Sequence, residues 1–265
     1  MIASMVNNKG GVGKTISSVN LCAALANRKQ RVLLIDMDPQ CNATSLLLGD
    51  TEPKNSLYEL LVDKVPVSRC IYPTSFGVDI LPNVQITSQI ESDLYSDTAA
   101  SYRMIKDMVR NYVLEQYDIA IIDCPPSLGL WVIMALAASD GVIIPIEAGS
   151  RFSLDGLATI FTTIDNISLS KITHNQLFHK ILINKVDLRT SSSRGAIDKI
   201  RELYPASVFA TTIPINDAIK QAETFGTTVL RHDIRSSGAR RFRMLAEEFA
   251  EFVNNYTDQL ELPHG

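Results

Sequence analysis

Short apolar runs, many of them β-branched, alternate along this chain with longer stretches whose apolar positions recur every three or four residues. The short runs predict strands at 2–6, 32–36, 78–81, 119–123, 141–145, 180–184 and 208–213. The longer stretches predict helices at 14–27, 56–62, 100–115, 129–138, 154–167, 194–203, 217–224 and 237–255. Strand and helix in alternation make repeated βα units. The expected fold class is therefore α/β, a mainly parallel twisted sheet with helices on both faces. No internal repeat or low-complexity tract interrupts the pattern, and 51–55 and 168–175 read as surface loops. One domain over 1–265 is the expectation.

Composition narrows the function classes. A 46% hydrophobic and 20% charged chain is ordinary for a soluble globular protein. The net charge is −4, so any contact with nucleic acid needs a local basic patch. Cys22, Cys41, Cys70 and Cys124 show no C-x-x-C spacing. Neither a zinc site nor a disulfide framework is indicated, and a reducing cytoplasm fits. The first strand runs straight into a glycine-rich loop, so neither a signal peptide nor a preceding helix-turn-helix unit is expected. No apolar run approaches the ~20 residues of a membrane span.

That loop is Asn8-Lys9-Gly10-Gly11-Val12-Gly13-Lys14-Thr15. It meets the phosphate-loop spacing Gly-x-x-x-x-Gly-Lys-Thr, with Asn8 standing at the first glycine position. Gly10, Gly11, Val12 and Gly13 can turn backbone N–H groups around an oxyanion, and Lys14 can reach terminal phosphates. The Thr15 hydroxyl can sit on Mg²⁺, and the helix opening at Lys14-Thr15-Ile16 adds its positive end. Lys-Gly-Gly-Val-Gly-Lys-Thr at 9–15 resembles the deviant Walker A motif of the ParA/MinD ATPases. The resemblance implies that Lys9 contacts the nucleotide of the opposite subunit.

Further segments carry the same likeness. The strand at 32–36 ends in Asp36-Met-Asp38-Pro39-Gln40-Cys41-Asn42, which resembles the family's Asp-x-Asp-Pro-Gln-Gly-Asn. A pair of acids at a strand end can order Mg²⁺ and a water molecule, with Asp38 the expected metal ligand; the resemblance assigns Asp38 to positioning or activating the attacking water, and Cys41 replaces the usual glycine. Asp123 ends another apolar strand in a Walker B arrangement that supports Mg²⁺, and Pro125-Pro126 resembles a switch. Asn184-Lys185-Val-Asp187 fits the Asn-Lys-x-Asp pattern that reads guanine in many GTPases. In the ParA-like family an asparagine at this strand end contacts adenine with a loop near Pro214, and ATP is preferred over GTP on that ground. Lys185 and Asp187 are then a solvated strand end. Where relatives read Pro-Arg-Asn, this chain has Pro214-Ile215-Asn216, with Lys220 nearby.

Arg231, Arg235, Arg240, Arg241 and Arg243 cluster in an acidic protein. Apolar Phe242, Leu245, Ala246, Phe249 and Val253 predict a helix starting near Ser236 or Ser237. Arg240 and Arg241 then sit in or near a first turn whose dipole disfavours cations. An external polyanion relieves that, so Arg235, Arg240, Arg241 and Arg243, with Lys220, are the expected contacts to double-stranded DNA. The tail after Met244 is acidic, which argues against a MinD-like membrane anchor.

The resemblance covers nearly the whole chain and is nearest to small Soj-type ParA proteins. It implies an ATP- and Mg²⁺-dependent homodimer, cytoplasmic and nucleoid-associated. Such a dimer binds DNA without sequence preference and moves plasmid, chromosome or another large cargo with a ParB-like or adaptor partner. A MinD-like positioning ATPase and a GTP-dependent switch are the alternatives. A nitrogenase-reductase-like carrier lacks cluster cysteines here, and a tyrosine kinase lacks its tyrosine-rich tail.

Overall fold

In the computed structural model of the chain, which describes residues 1–148, 153–170, 172–173, 176–187 and 189–261, seven strands form one sheet in the order β3-β4-β2-β5-β1-β6-β7. They are β1 (Ile2–Met5), β2 (Val32–Asp36), β3 (Tyr72–Pro73), β4 (Asp79–Leu81), β5 (Ile119–Asp123), β6 (Gly141–Glu147) and β7 (Phe178–Asn184). Every pairing is parallel except the β3–β4 edge.

Strand residues alternate between two cores, as a period of two requires. Ile2, Leu33, Ile35, Ala120 and Ile122 face the helices Leu57–Leu61, Leu130–Ala138 and Ser153–Leu169. Ala3, Met5, Leu34, Ile119 and Ile121 face α1 (Lys14–Ala26), α2 (Asn42–Leu48) and the C-terminal helix Ser237–Glu261. Both faces are covered, which is why the strands read as unbroken apolar runs.

Most predicted elements are present with ends shifted by a few residues. The expected helix at 100–115 is Thr98–Ile105, a π-turn at Lys106–Arg110, and Asn111–Gln116. The π-turn delivers Arg110 to Asp140 and the Ala138 carbonyl.

Two expectations need correction. Residues 208–213 are not a strand but an irregular edge beside β7, joined through bridges at Val208 and Pro214. The amides of Ala210 and Thr211 donate to the Glu248 carboxylate at 2.6 and 2.9 Å, so they leave the ladder. Pro214 has no N–H to give. The expected loop at 168–175 begins later, because the helix Ser153–Leu169 takes in Ser168 and Leu169; residues 171, 174 and 175 lie outside the described ones.

Candidate nucleotide site

The carboxyl edge of the sheet assembles the site. Parallel register sets Met5, Asp36 and Asp123 abreast at the ends of β1, β2 and β5. Beyond β1, buried Asn7 donates to the Pro145 carbonyl at 2.7 Å and accepts the Lys9 N–H at 2.8 Å. Asn7 thereby anchors the loop, a role that nothing in the motif indicated. Gly11 and Gly13 take φ of +74° and +88°, and a Cβ on Gly13 would collide with Nδ2 of Asn184. Glycine is required there on both counts.

Lys14 is 7% exposed, and its Nζ donates to the Lys9 carbonyl at 3.3 Å. Burial lowers the pKa of its ammonium, against the opposing pull of Asp123, Cys124 and Asp38. A buried cation so sparsely met is ready for an anion. Lys9 Nζ lies 3.6 Å from Glu147 Oε2, both half-exposed. Such a surface pair contributes at most ~1 kcal/mol and is easily exchanged for a phosphate.

The three carboxylates differ in their commitments. Asp36 is buried and fully engaged: it accepts from the Thr44 N–H and hydroxyl at 2.8 and 2.7 Å and from the Asp38 N–H at 3.1 Å. Burial, then the charge of Asp123, pushes its carboxyl up to about 7. It holds the loop to α2 rather than facing the cleft. Asp123 accepts the Ser18 hydroxyl at 2.8 Å, while its Oδ2 is buried without a partner. Burial raises its pKa to about 6, opposed by hydrogen bonds from Thr15 and Ser18. Asp38 is 6% exposed, accepts the Gln40 N–H at 2.9 Å and lines the cleft. Cys41 takes the left-handed φ of 56° that a glycine would adopt more cheaply, and it opens α2.

A cleft of about 890 Å³ extends from Gly10–Ile16 past Asp38 and Gln40 to Asn184, Lys185 and the 213–220 segment, Pro214 included. Asn184 donates to the Val12 carbonyl at 2.8 Å and the Ser17 hydroxyl at 3.2 Å. Its amide is thus turned to the phosphate loop, not outward to a base. Asp187 is bonded by Arg189 Nε and Nη2 at 2.9 and 2.8 Å, which draws its carboxyl down to about 2. The guanine-reading arrangement is not assembled.

The unpartnered Asp123 Oδ2, the Thr15 hydroxyl and Asp38 offer oxygen donors suited to a hard cation. Among the described residues no three His, Cys, Asp or Glu make a metal cage. A Mg²⁺ shared with substrate phosphates needs none.

The family model AAA_31, an AAA domain, matches residues 1–179. The sporulation initiation inhibitor protein Soj of Bacillus subtilis is 35% identical over 251 residues, covering 94% of this chain and 98% of Soj. The chain is a ParA/MinD-type ATPase. The chromosome partitioning protein ParA of Myxococcus xanthus is 33% identical to this ATPase, over 93% of it and 87% of ParA. Among solved structures, the cobyrinic acid a,c-diamide synthase of Mycobacterium smegmatis, with bound ATP analog and magnesium, superposes with a TM-score of 0.79 at 28% identity. That match covers 93% of the ATPase and 92% of the synthase.

Four of the basic residues expected at DNA lie in or just before the first turns of the C-terminal helix, and the fifth lies on the neighbouring helix Asp217–Thr224. The Ser236 hydroxyl accepts the Ala239 N–H at 3.1 Å and caps the C-terminal helix. Arg235, Arg240 and Arg243 are exposed and Arg241 half-buried. Exposed Lys220 lies on the helix Asp217–Thr224, whose cap Asn216 donates to the Ser237 hydroxyl at 2.8 Å. Among the described residues none of these five cations forms an ion pair. Arg231 stands apart, its guanidinium 5.3 Å from the Phe76 ring centre and bonded to Ser75. No described helix is long and apolar enough to cross a membrane.

Proposed function

We propose that this ATPase is a partition motor of the Soj/ParA kind. ATP and Mg²⁺ join two subunits, the dimer binds DNA without sequence preference, and slow hydrolysis stimulated by a ParB-like or adaptor protein releases it. The protein is then cytoplasmic and associated with the nucleoid. The observation that carries the reading is the buried, unpartnered Asp123 Oδ2 beside Lys14 and Thr15, at the mouth of a glycine loop.

Each residue has a role in it. The N–H groups of Gly10 to Ile16 cradle the phosphates, and Lys14 neutralises them. The Thr15 hydroxyl, Asp123 and Asp38 would hold Mg²⁺, which when bound neutralises phosphate charge. Asp38 orients the attacking water and draws off its proton. Lys9 leaves Glu147 and reaches the partner's phosphates. Pro214 and its loop close on the base, with Asn184 behind them. Arg235, Arg240, Arg241, Arg243 and Lys220 meet the DNA backbone.

Calorimetric titration is expected to give tighter binding for Mg-ATP than for Mg-GTP, because Asp187 does not line the cleft and the Asn184 amide is turned to the phosphate loop. A preference for GTP would overturn the nucleotide assignment. Lys9→Ala is expected to weaken ATP-dependent dimerisation, measured by light scattering, by at least about tenfold in dissociation constant, since it removes a charged group from the partner's phosphates. Its melting temperature should stay near wild type, since the Glu147 pair is a surface pair. Unchanged dimerisation would leave Lys9 a loop lysine.

A further inference from the structure

The end of β7 reaches back to the phosphate loop with two consecutive side chains. Asn184 Nδ2 donates to the Val12 carbonyl. Lys185 has a φ of 51°, and its N–H donates to the Asn184 side-chain oxygen at 2.9 Å. That left-handed turn carries the exposed Lys185 side chain over the loop, where Nζ donates to the Gly11 carbonyl. Two successive loop carbonyls are therefore held from the same side, by neighbours at one strand end.

In a trans peptide the C=O and N–H point in opposite directions. Holding the Gly11 and Val12 carbonyls toward β7 turns the N–H groups of Val12 and Gly13 the other way. The Gly13 N–H makes no backbone hydrogen bond within the described loop, and Gly13 lines the cleft. Successive backbone N–H groups of this kind bind anions. The close fit between Asn184 Nδ2 and Gly13, which a single Cβ would abolish, shows how tightly the strand end and the loop are matched.

We propose that Lys185 is a positioning residue for the phosphate chain of the nucleotide. Through the Gly11 carbonyl it works with Asn184 to set the Gly11–Val12 and Val12–Gly13 peptides before nucleotide arrives. The inference rests on the ATPase reading of the cleft. It replaces the expectation that Lys185 is only a solvated strand end, and it gives Asn184 a task at the phosphates rather than at the base. Preorganised donors bind an anion without the cost of ordering a glycine loop at that moment.

The test uses Lys185→Asn, which accepts the left-handed backbone but is too short to reach Gly11. Binding of ADP, ATP and inorganic pyrophosphate is measured directly, each by isothermal titration calorimetry. All three are expected to weaken by a similar factor, about tenfold, the size of one missing bond in a charged site. The defect should persist at ~0.5 M KCl, where bare charges are screened within ~4 Å. Lys185→Arg should restore binding, and the melting temperature of Lys185→Asn without nucleotide should not fall. Unchanged affinity overturns the proposal. So does a defect that vanishes in high salt, which would make Lys185 a rim charge, or one seen with ADP but not pyrophosphate, which would place it on the nucleoside. A wild-type protein that binds pyrophosphate but neither nucleotide would sink the ATP reading, and Lys185 would then be judged on pyrophosphate alone.

Discussion

Asp38→Ala is expected to bind Mg-ATP and to hydrolyse it at least about a hundredfold more slowly, the usual cost of losing a positioned base or electrostatic group. The carboxylate lines the cleft, and its own backbone N–H is tied to Asp36. Asp36 in turn is locked to Thr44, whose hydroxyl accepts the Asn83 N–H at 2.9 Å. The loop under Asp38 therefore keeps its shape when the side chain is cut back. Binding survives because Lys14, Thr15 and the loop amides remain. On the proposed cycle, in which hydrolysis ends the dimeric state, the variant should accumulate as an ATP-bound dimer. Single-turnover phosphate release beside calorimetric binding separates the two effects. Release at the wild-type rate would remove Asp38 from the chemistry.

Replacing Arg240 and Arg241 with Ala should weaken DNA binding for every sequence alike. The plot of log affinity against log salt should flatten by ~1.8, at ~0.9 for each DNA phosphate no longer neutralised. Both residues sit one turn inside a helix that Ser236 caps, where the macrodipole disfavours cations, and neither has an ion-pair partner among the described residues. Their removal should leave folding intact or slightly improved. A dimer presents two such clusters, so affinity for long DNA should depend on ATP more steeply than affinity for a short duplex that spans one cluster. Anisotropy titrations at several salt concentrations, with wild-type dimerisation confirmed in parallel, measure this. A double variant with the wild-type slope would reduce the cluster to a solvated face.

How far these roles were legible varies by residue. Lys14, Thr15, Asp38 and Asp123 stand out because each type occurs at a fixed offset from a strand end, and parallel strands bring those ends to one edge. The resemblance singled out Asp38, but what commits Asp36 elsewhere was not legible in the residues themselves. Two acids separated by one residue look equivalent until Thr44, eight residues on, is seen bonded to the first. Asn7 was invisible for the same reason, since its partner is the Pro145 carbonyl on β6. The expected strand at 208–213 failed because its β-branched and aromatic residues do suit a strand but Glu248 draws two of its amides away.

Local chemistry by itself determined the βα alternation, the phosphate loop, the acids that end β2 and β5, and the capped arginine-bearing helix. Each of these depends on residues within about one turn or one strand of each other, where periodicity and capping act. Tertiary structure alone decided the strand order, the pairing of Arg110 with Asp140, and the grip of Asn184 and Lys185 on the phosphate loop more than 170 residues away. Those outcomes turn on which unsatisfied polar group each side chain meets first once the sheet has closed. No local pattern carries that information, because a hydrogen bond depends on distance in space and not on separation along the chain.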